Sequence, residues 1–156
     1  MNGKVISLRG LQFVSLISAT IAVVGGGTFV LQGADGLATV VGAEYPALSP
    51  LLDRASSAID PLMKVTFDTW YRALGWYWLT TGLMLFWITP NVQYRTDWFR
   101  LIHVAFMAVG IASLLTIIES GPNVHNRYGA VVIELGVPCV LIVWQWFVAR
   151  AASPQD

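Results

Sequence analysis

Asp68 and Arg72 stand four residues apart in the run Phe67-Asp68-Thr69-Trp70-Tyr71-Arg72-Ala73-Leu74-Gly75-Trp76-Tyr77-Trp78. On a helix this spacing places the carboxylate and the guanidinium on one face. The same face continues through Gly75, Leu79 and Gly82, and glycines at such positions let helices approach closely. Glu119, Arg127 and Glu134 are further ionisable residues at or inside apolar stretches. Glu134 lies roughly 9 Å along a helix from Tyr128. At that depth in hydrocarbon a lone carboxylate costs several kcal/mol and would protonate instead. An arginine stays charged and its planar fork can serve two carboxylates. The residues therefore predict one buried network, Asp68–Arg72–Glu134, that locks the second apolar segment against the fourth. Three uses of such a network stand in order: a lock on helix register, a contact with a headgroup or partner, and proton or catalytic chemistry.

Other reactive side chains are sparse. His103 stands alone near one end of an apolar segment, with a hydrogen-bonded histidine as the simple reading and a haem ligand as the sharper one. His125 falls in a connecting loop, so no pair of histidines supports a haem or metal site. Cys139 is the single cysteine. It sits in an apolar run and reads as a small buried hydrophobe. No intrachain disulfide can form. Ser113 and Ser120 have no evident base, and there is no phosphate-binding glycine loop or nucleophile elbow. The sequence predicts no cofactor and no metal.

These side chains need elements to hold them. Hydrophobic residues make up 56% of the 156 and charged residues 12%, about half the charged share of a soluble domain. Mean hydropathy is +0.64, which points to a membrane protein. The formal net charge is zero, which excludes nucleic acid as a partner. Four apolar segments, at about 11–32, 68–89, 98–120 and 128–149, reach the roughly 20 residues that a helix needs to cross a bilayer. The expected fold is all-α: one integral membrane four-helix bundle forming a single domain. The apolar run after Lys4 and Arg9 is too long for a signal-peptide core and lacks a small-residue cleavage site, so it is expected to stay as the first span.

Residues 33–66 form a long extracytoplasmic loop in this reading. Ser49 and Pro50 open a short amphipathic surface helix over about 50–59. Asp97 is expected to cap the third span, Gly121-Pro122 to end it, and Pro138 to kink the fourth. Lys4, Arg9, Arg95, Arg100 and Arg150 fall on one side, against Arg54, Lys64 and Arg127 on the other. That bias puts both termini in the cytoplasm. Trp87, Trp98, Trp144 and Trp146 then line the inner interface, and Trp70, Tyr71 and Tyr128 the outer one. Ser15, Ala19, Ala22 and Gly26 form a small-residue face on the first span that, with Gly75 and Gly82, predicts close helix packing or a partner face.

The order Asp68, Arg72-Ala73-Leu74-Gly75, Gly82-Leu83, Gly121-Pro122, Glu134-Leu135 and Trp144-Gln145 resembles the small bacterial membrane proteins grouped as domain of unknown function 4345. The resemblance covers about residues 10–148. It implies four helices, an acid and an arginine opening the second, and a glutamate in the fourth. It implies no reaction. One departure is visible: many members carry an arginine late in the third helix, where this chain reads Ala112-Ser113-Leu114-Leu115-Thr116.

Small size and the lack of a catalytic constellation point to a non-enzymatic accessory or scaffolding subunit of a larger bacterial inner-membrane assembly. Its partners would be membrane lipids and other integral membrane proteins. An assembly that handles lipids or other hydrophobic substrates is one such host. The alternative is a stand-alone binder of, or enzyme acting on, a membrane lipid, with Arg72 holding an anionic headgroup. A small proton-coupled transporter using Glu134 is a third reading, weakened by the absence of inverted repeats.

Overall fold

The computed structural model describes residues 2–35, 61–120 and 131–152. Every regular element among them is helical: α1 (Asn2–Gln32), α2 (Pro61–Ile88), a 3₁₀ turn (Thr89–Asn91), α3 (Thr96–Ser120), and a π-helical turn (Val132–Gly136) that leads into α4 (Val137–Ala152). The expected surface helix at 50–59, the Gly121-Pro122 stop, His125, Arg127 and Tyr128 lie outside the described residues.

Among the described residues, three stretches are long and apolar enough to cross a membrane: Ser7–Gln32, Thr96–Glu119 and Val132–Ala152. This is what a membrane protein presents. The expected second span is not among them. Lys64, Asp68 and Arg72 occupy the first half of α2, and its tryptophans and tyrosines contribute little hydropathy. The uncharged part, 73–88, is about 24 Å long.

Element boundaries differ from expectation where local chemistry overrides hydropathy. α1 begins at Asn2, nine residues before the apolar run, because nothing in 2–10 breaks a helix. α2 begins at Pro61, whose ring pre-sets the φ of a first helical turn. α3 begins at Thr96, so Asp97 lies within its first turn rather than capping it. There the carboxylate meets the positive end of the helix dipole. Pro138 has no N–H to give to the carbonyl of Glu134, four residues earlier. The backbone widens into the π turn just before it, while the Val137 N–H still bonds the Ile133 carbonyl. Such a widened turn is a recognised cause of helix distortion.

The chain divides into two compact units, Ile17–Phe86 and Met1–Leu16 with Trp87–Asp156. In the first, α1 and α2 run antiparallel: Asp68 reaches Ala34, Gly75 lies against Gly26, and Gly82 lies against Ala19 and Val23. A Cβ at Gly75 would sit 2.7 Å from the Val30 backbone nitrogen, and one at Gly82 would sit 2.9 Å from the Ala19 carbonyl oxygen. The glycines therefore set how closely the two backbones pack. In the second unit, α3 and α4 run antiparallel, with Arg100 level with Gln145 and Ser113 level with Glu134. The start of α1 joins them through Ser7, whose hydroxyl accepts a hydrogen bond from Trp144 Nε1 at 3.0 Å.

Candidate functional site

Asp68 and Arg72 form a clasp on the end of α1. Arg72 Nε donates to Asp68 Oδ2 at 2.8 Å. Its Nη1 donates to the carbonyls of Val30 at 2.6 Å and Leu31 at 3.3 Å. Those carbonyls lack helical partners because α1 ends there, and a cation at a helix C-terminus also meets the negative end of the dipole. Gly33 ends α1 in a left-handed conformation, φ 58°, with its N–H on the Phe29 carbonyl at 2.8 Å. The next N–H, of Ala34, donates to Asp68 Oδ1 at 3.1 Å. A side chain at Gly33 would collide with that carboxylate. Glycine is thus required twice, for its backbone and for its lack of a Cβ. Lys64 and Asp35 add an exposed ion pair at 3.7 Å.

Glu134 finds a partner on α3. It sits in the π turn, and its Oε2 accepts a hydrogen bond from Ser113 Oγ at 2.9 Å. Gly110 gives it room, since a Cβ there would come within 3.0 Å of the Glu134 Cβ. Each within its own compact unit, Arg72 closes on Asp68 and the α1 carbonyls, and Glu134 closes on Ser113. The end of α1 offers Arg72 bare carbonyls, and Ser113 offers Glu134 a neutral donor. Ser113 accordingly has a carboxylate beside it, which the sequence did not reveal. Glu119 is exposed on α3.

Two polar residues, Gln145 and His103, are almost fully enclosed, each with its own partners. Gln145 is completely buried. Its Oε1 accepts from Arg100 Nε at 3.0 Å, and its Nε2 donates to the Val92 carbonyl at 3.3 Å. One amide thus joins α4, α3 and the turn between α2 and α3. The signal was a single glutamine inside the apolar run of α4. His103 is 1% exposed, with Nδ1 2.8 Å from the Phe99 carbonyl oxygen and its ring tilted by 32° against that of Phe99, the centres 4.2 Å apart. A carbonyl only accepts, so Nδ1 carries the hydrogen and Nε2 holds a lone pair, buried without a partner among the described residues. This is the hydrogen-bonded histidine of the simpler sequence reading.

The small residues of α1 serve packing in different places. Ala19, Ala22 and Gly26 are buried within the α1–α2 unit, and buried Ser15 bonds the Leu11 carbonyl at 2.7 Å. Cys139 is exposed rather than buried, 4.0 Å from the Met107 sulfur. Among the described residues no group of three histidine, cysteine or acidic side chains could hold a metal ion.

A family model described as "Domain of unknown function (DUF4345)" matches residues 10–145, and the chain belongs to that family. No curated protein and no solved structure matches the chain.

Proposed function

We propose that this member of the DUF4345 family is a non-enzymatic accessory or scaffolding subunit of a larger assembly in the bacterial inner membrane. In this reading all four helices cross the bilayer as a bundle. The connection between α1 and α2 lies outside the cytoplasm, and both termini lie inside it. An assembly that handles lipids or other hydrophobic substrates is a host that would suit it. The observation that carries the reading is the occupation of Arg72. Its Nε is held by Asp68 and its Nη1 by the α1 carbonyls, so it works as a clasp between helices rather than as a substrate contact. The large apolar side chains exposed along α1, α3 and α4, among them Ile21, Val24, Ile111, Leu115 and Phe147, suit lipid tails or the helices of a partner. Purification from native membranes in mild detergent tests this. A second integral membrane protein should copurify and crosslink in fixed proportion. A chain that always runs alone refutes the reading.

A second reading is favoured by one observation: the Arg72 side chain is still 44% exposed. On it the protein stands alone and binds, or acts on, a membrane lipid whose anionic headgroup Arg72 holds. Native mass spectrometry decides it. Bound lipid lost in Arg72→Ala supports the lipid reading, and equal retention in both proteins removes it.

A further inference from the structure

Four stretches of chain meet at one end of the unit formed by Met1–Leu16 and Trp87–Asp156. Gln12 of α1 donates to the Pro90 carbonyl at 3.1 Å, Trp144 of α4 donates to Ser7, and Gln145 joins Arg100 to Val92. This end carries Arg9, Arg95, Arg100 and Arg150, against Asp97 as the one acid among its described residues. The ion pairs among the described residues are Lys64–Asp35 and Arg72–Asp68, so none of these four arginines is paired with a described carboxylate. Two of them are held over indole faces: Arg95 lies 4.6 Å from the Trp87 ring centre, and Arg150 lies 4.4 Å from that of Trp146. Both indoles are exposed. An indole with a guanidinium on its face suits the boundary of a bilayer, with the ring against hydrocarbon and the cation toward the phosphates.

We propose that this end is a collar for anionic phospholipid, with Arg95 on Trp87 and Arg150 on Trp146 as two phosphate seats. The proposal rests on the membrane reading above and adds a lipid selectivity to it. The guanidinium fork matches phosphate oxygens in pairs. A zwitterionic headgroup offers the same phosphate but cancels its charge with its own ammonium. An excess of arginines with no carboxylate partner among the described residues therefore favours a headgroup of net negative charge.

The test uses the full chain, extracted from membranes and exchanged into mild detergent with phosphatidylglycerol or phosphatidylcholine. Retained lipid is counted by native mass spectrometry. Phosphatidylglycerol should be retained over phosphatidylcholine. Arg95→Gln and Arg150→Gln should each weaken its retention about fivefold, and the double variant about 25-fold. Lys64→Gln removes the same charge elsewhere and should leave retention unchanged. Equal retention of the two lipids by the unaltered protein overturns the collar and needs no variant to fold. An equal loss in Lys64→Gln, or displacement of phosphatidylglycerol by millimolar inorganic phosphate, also overturns it. A chain found in membranes but indifferent to lipid charge refutes the collar alone. A chain recovered from the soluble fraction refutes the membrane reading and the collar together.

Discussion

Gly25, Gly26 and Gly27 are consecutive, yet a methyl group should have a different effect at each. At Gly26 an added Cβ would lie 2.7 Å from the Gly75 carbonyl oxygen and 3.0 Å from Leu79 Cα, and would also strike the Leu79 nitrogen. All three are backbone atoms and cannot rotate away. Ordinary contact begins at 3.4 Å, so α1 and α2 must separate by more than 0.7 Å at this point. A gap of that size forfeits about a quarter to a half of each dispersion contact around it, and overpacking of this kind costs about 1–3 kcal/mol. At Gly25 the Cβ meets only the Trp78 ring, at 3.3 Å, and a side chain can give by a few tenths of an ångström. At Gly27 nothing lies within 4 Å. The gain in helix propensity on replacing glycine by alanine, about 1 kcal/mol, is common to all three positions and cancels in the comparison. Gly26→Ala should therefore fall below Gly27→Ala by about 1–3 kcal/mol, with Gly25→Ala between them. Reversible unfolding in mixed detergent micelles, followed by circular dichroism, measures the differences. Equal midpoints for Gly26→Ala and Gly27→Ala would refute the close approach of α1 and α2.

Three further outcomes are expected. Gly33→Ala should destabilise by about 1–2 kcal/mol from the left-handed backbone alone, with an added loss as the methyl displaces Asp68. A melt that matches the unaltered protein would remove the clasp on α1. Gln145→Leu should cost about 1–3 kcal/mol by leaving the Val92 carbonyl and Arg100 without their partner, and a double-mutant cycle with Arg100→Leu should show coupling above about 0.5 kcal/mol. Additive losses would mean that the amide does not link the two helices. Glu134→Ala and Arg72→Ala should be additive within about 0.5 kcal/mol, since each residue has its own partners, whereas Glu134→Ala and Ser113→Ala should not be. Strong coupling between Glu134 and Arg72 would instead support the single Asp68–Arg72–Glu134 network.

The helices were legible because their signals are local. A run of about 20 apolar residues reads as a helix in lipid wherever it lies. The Asp68–Arg72 pair was legible for the same reason: four residues is the repeat of one helical face. The start of α2 was missed because hydropathy marks where apolar residues begin, while a proline such as Pro61 marks where a helix can begin. The role of Gln145 was missed because a single amide in an apolar run does not declare its partner. Arg95 and Arg150 were legible as charge on one side of the chain, and their seating over Trp87 and Trp146 was not.

Asp68 and Arg72 show where the boundary falls. Their mutual ion pair followed from spacing, and so did the face they share with Gly75 and Gly82 against α1. Their remaining partners did not, because the Val30 carbonyl is 42 residues from Arg72 in sequence. It became available only because α1 ends beside α2. Glu134 lies 21 residues from Ser113, and Gln145 lies 53 from Val92. A sequence states which groups must be satisfied in an apolar medium. Which groups satisfy them depends on how antiparallel helices register, and that is set by the small residues, the Pro138 π turn and the left-handed Gly33 acting together.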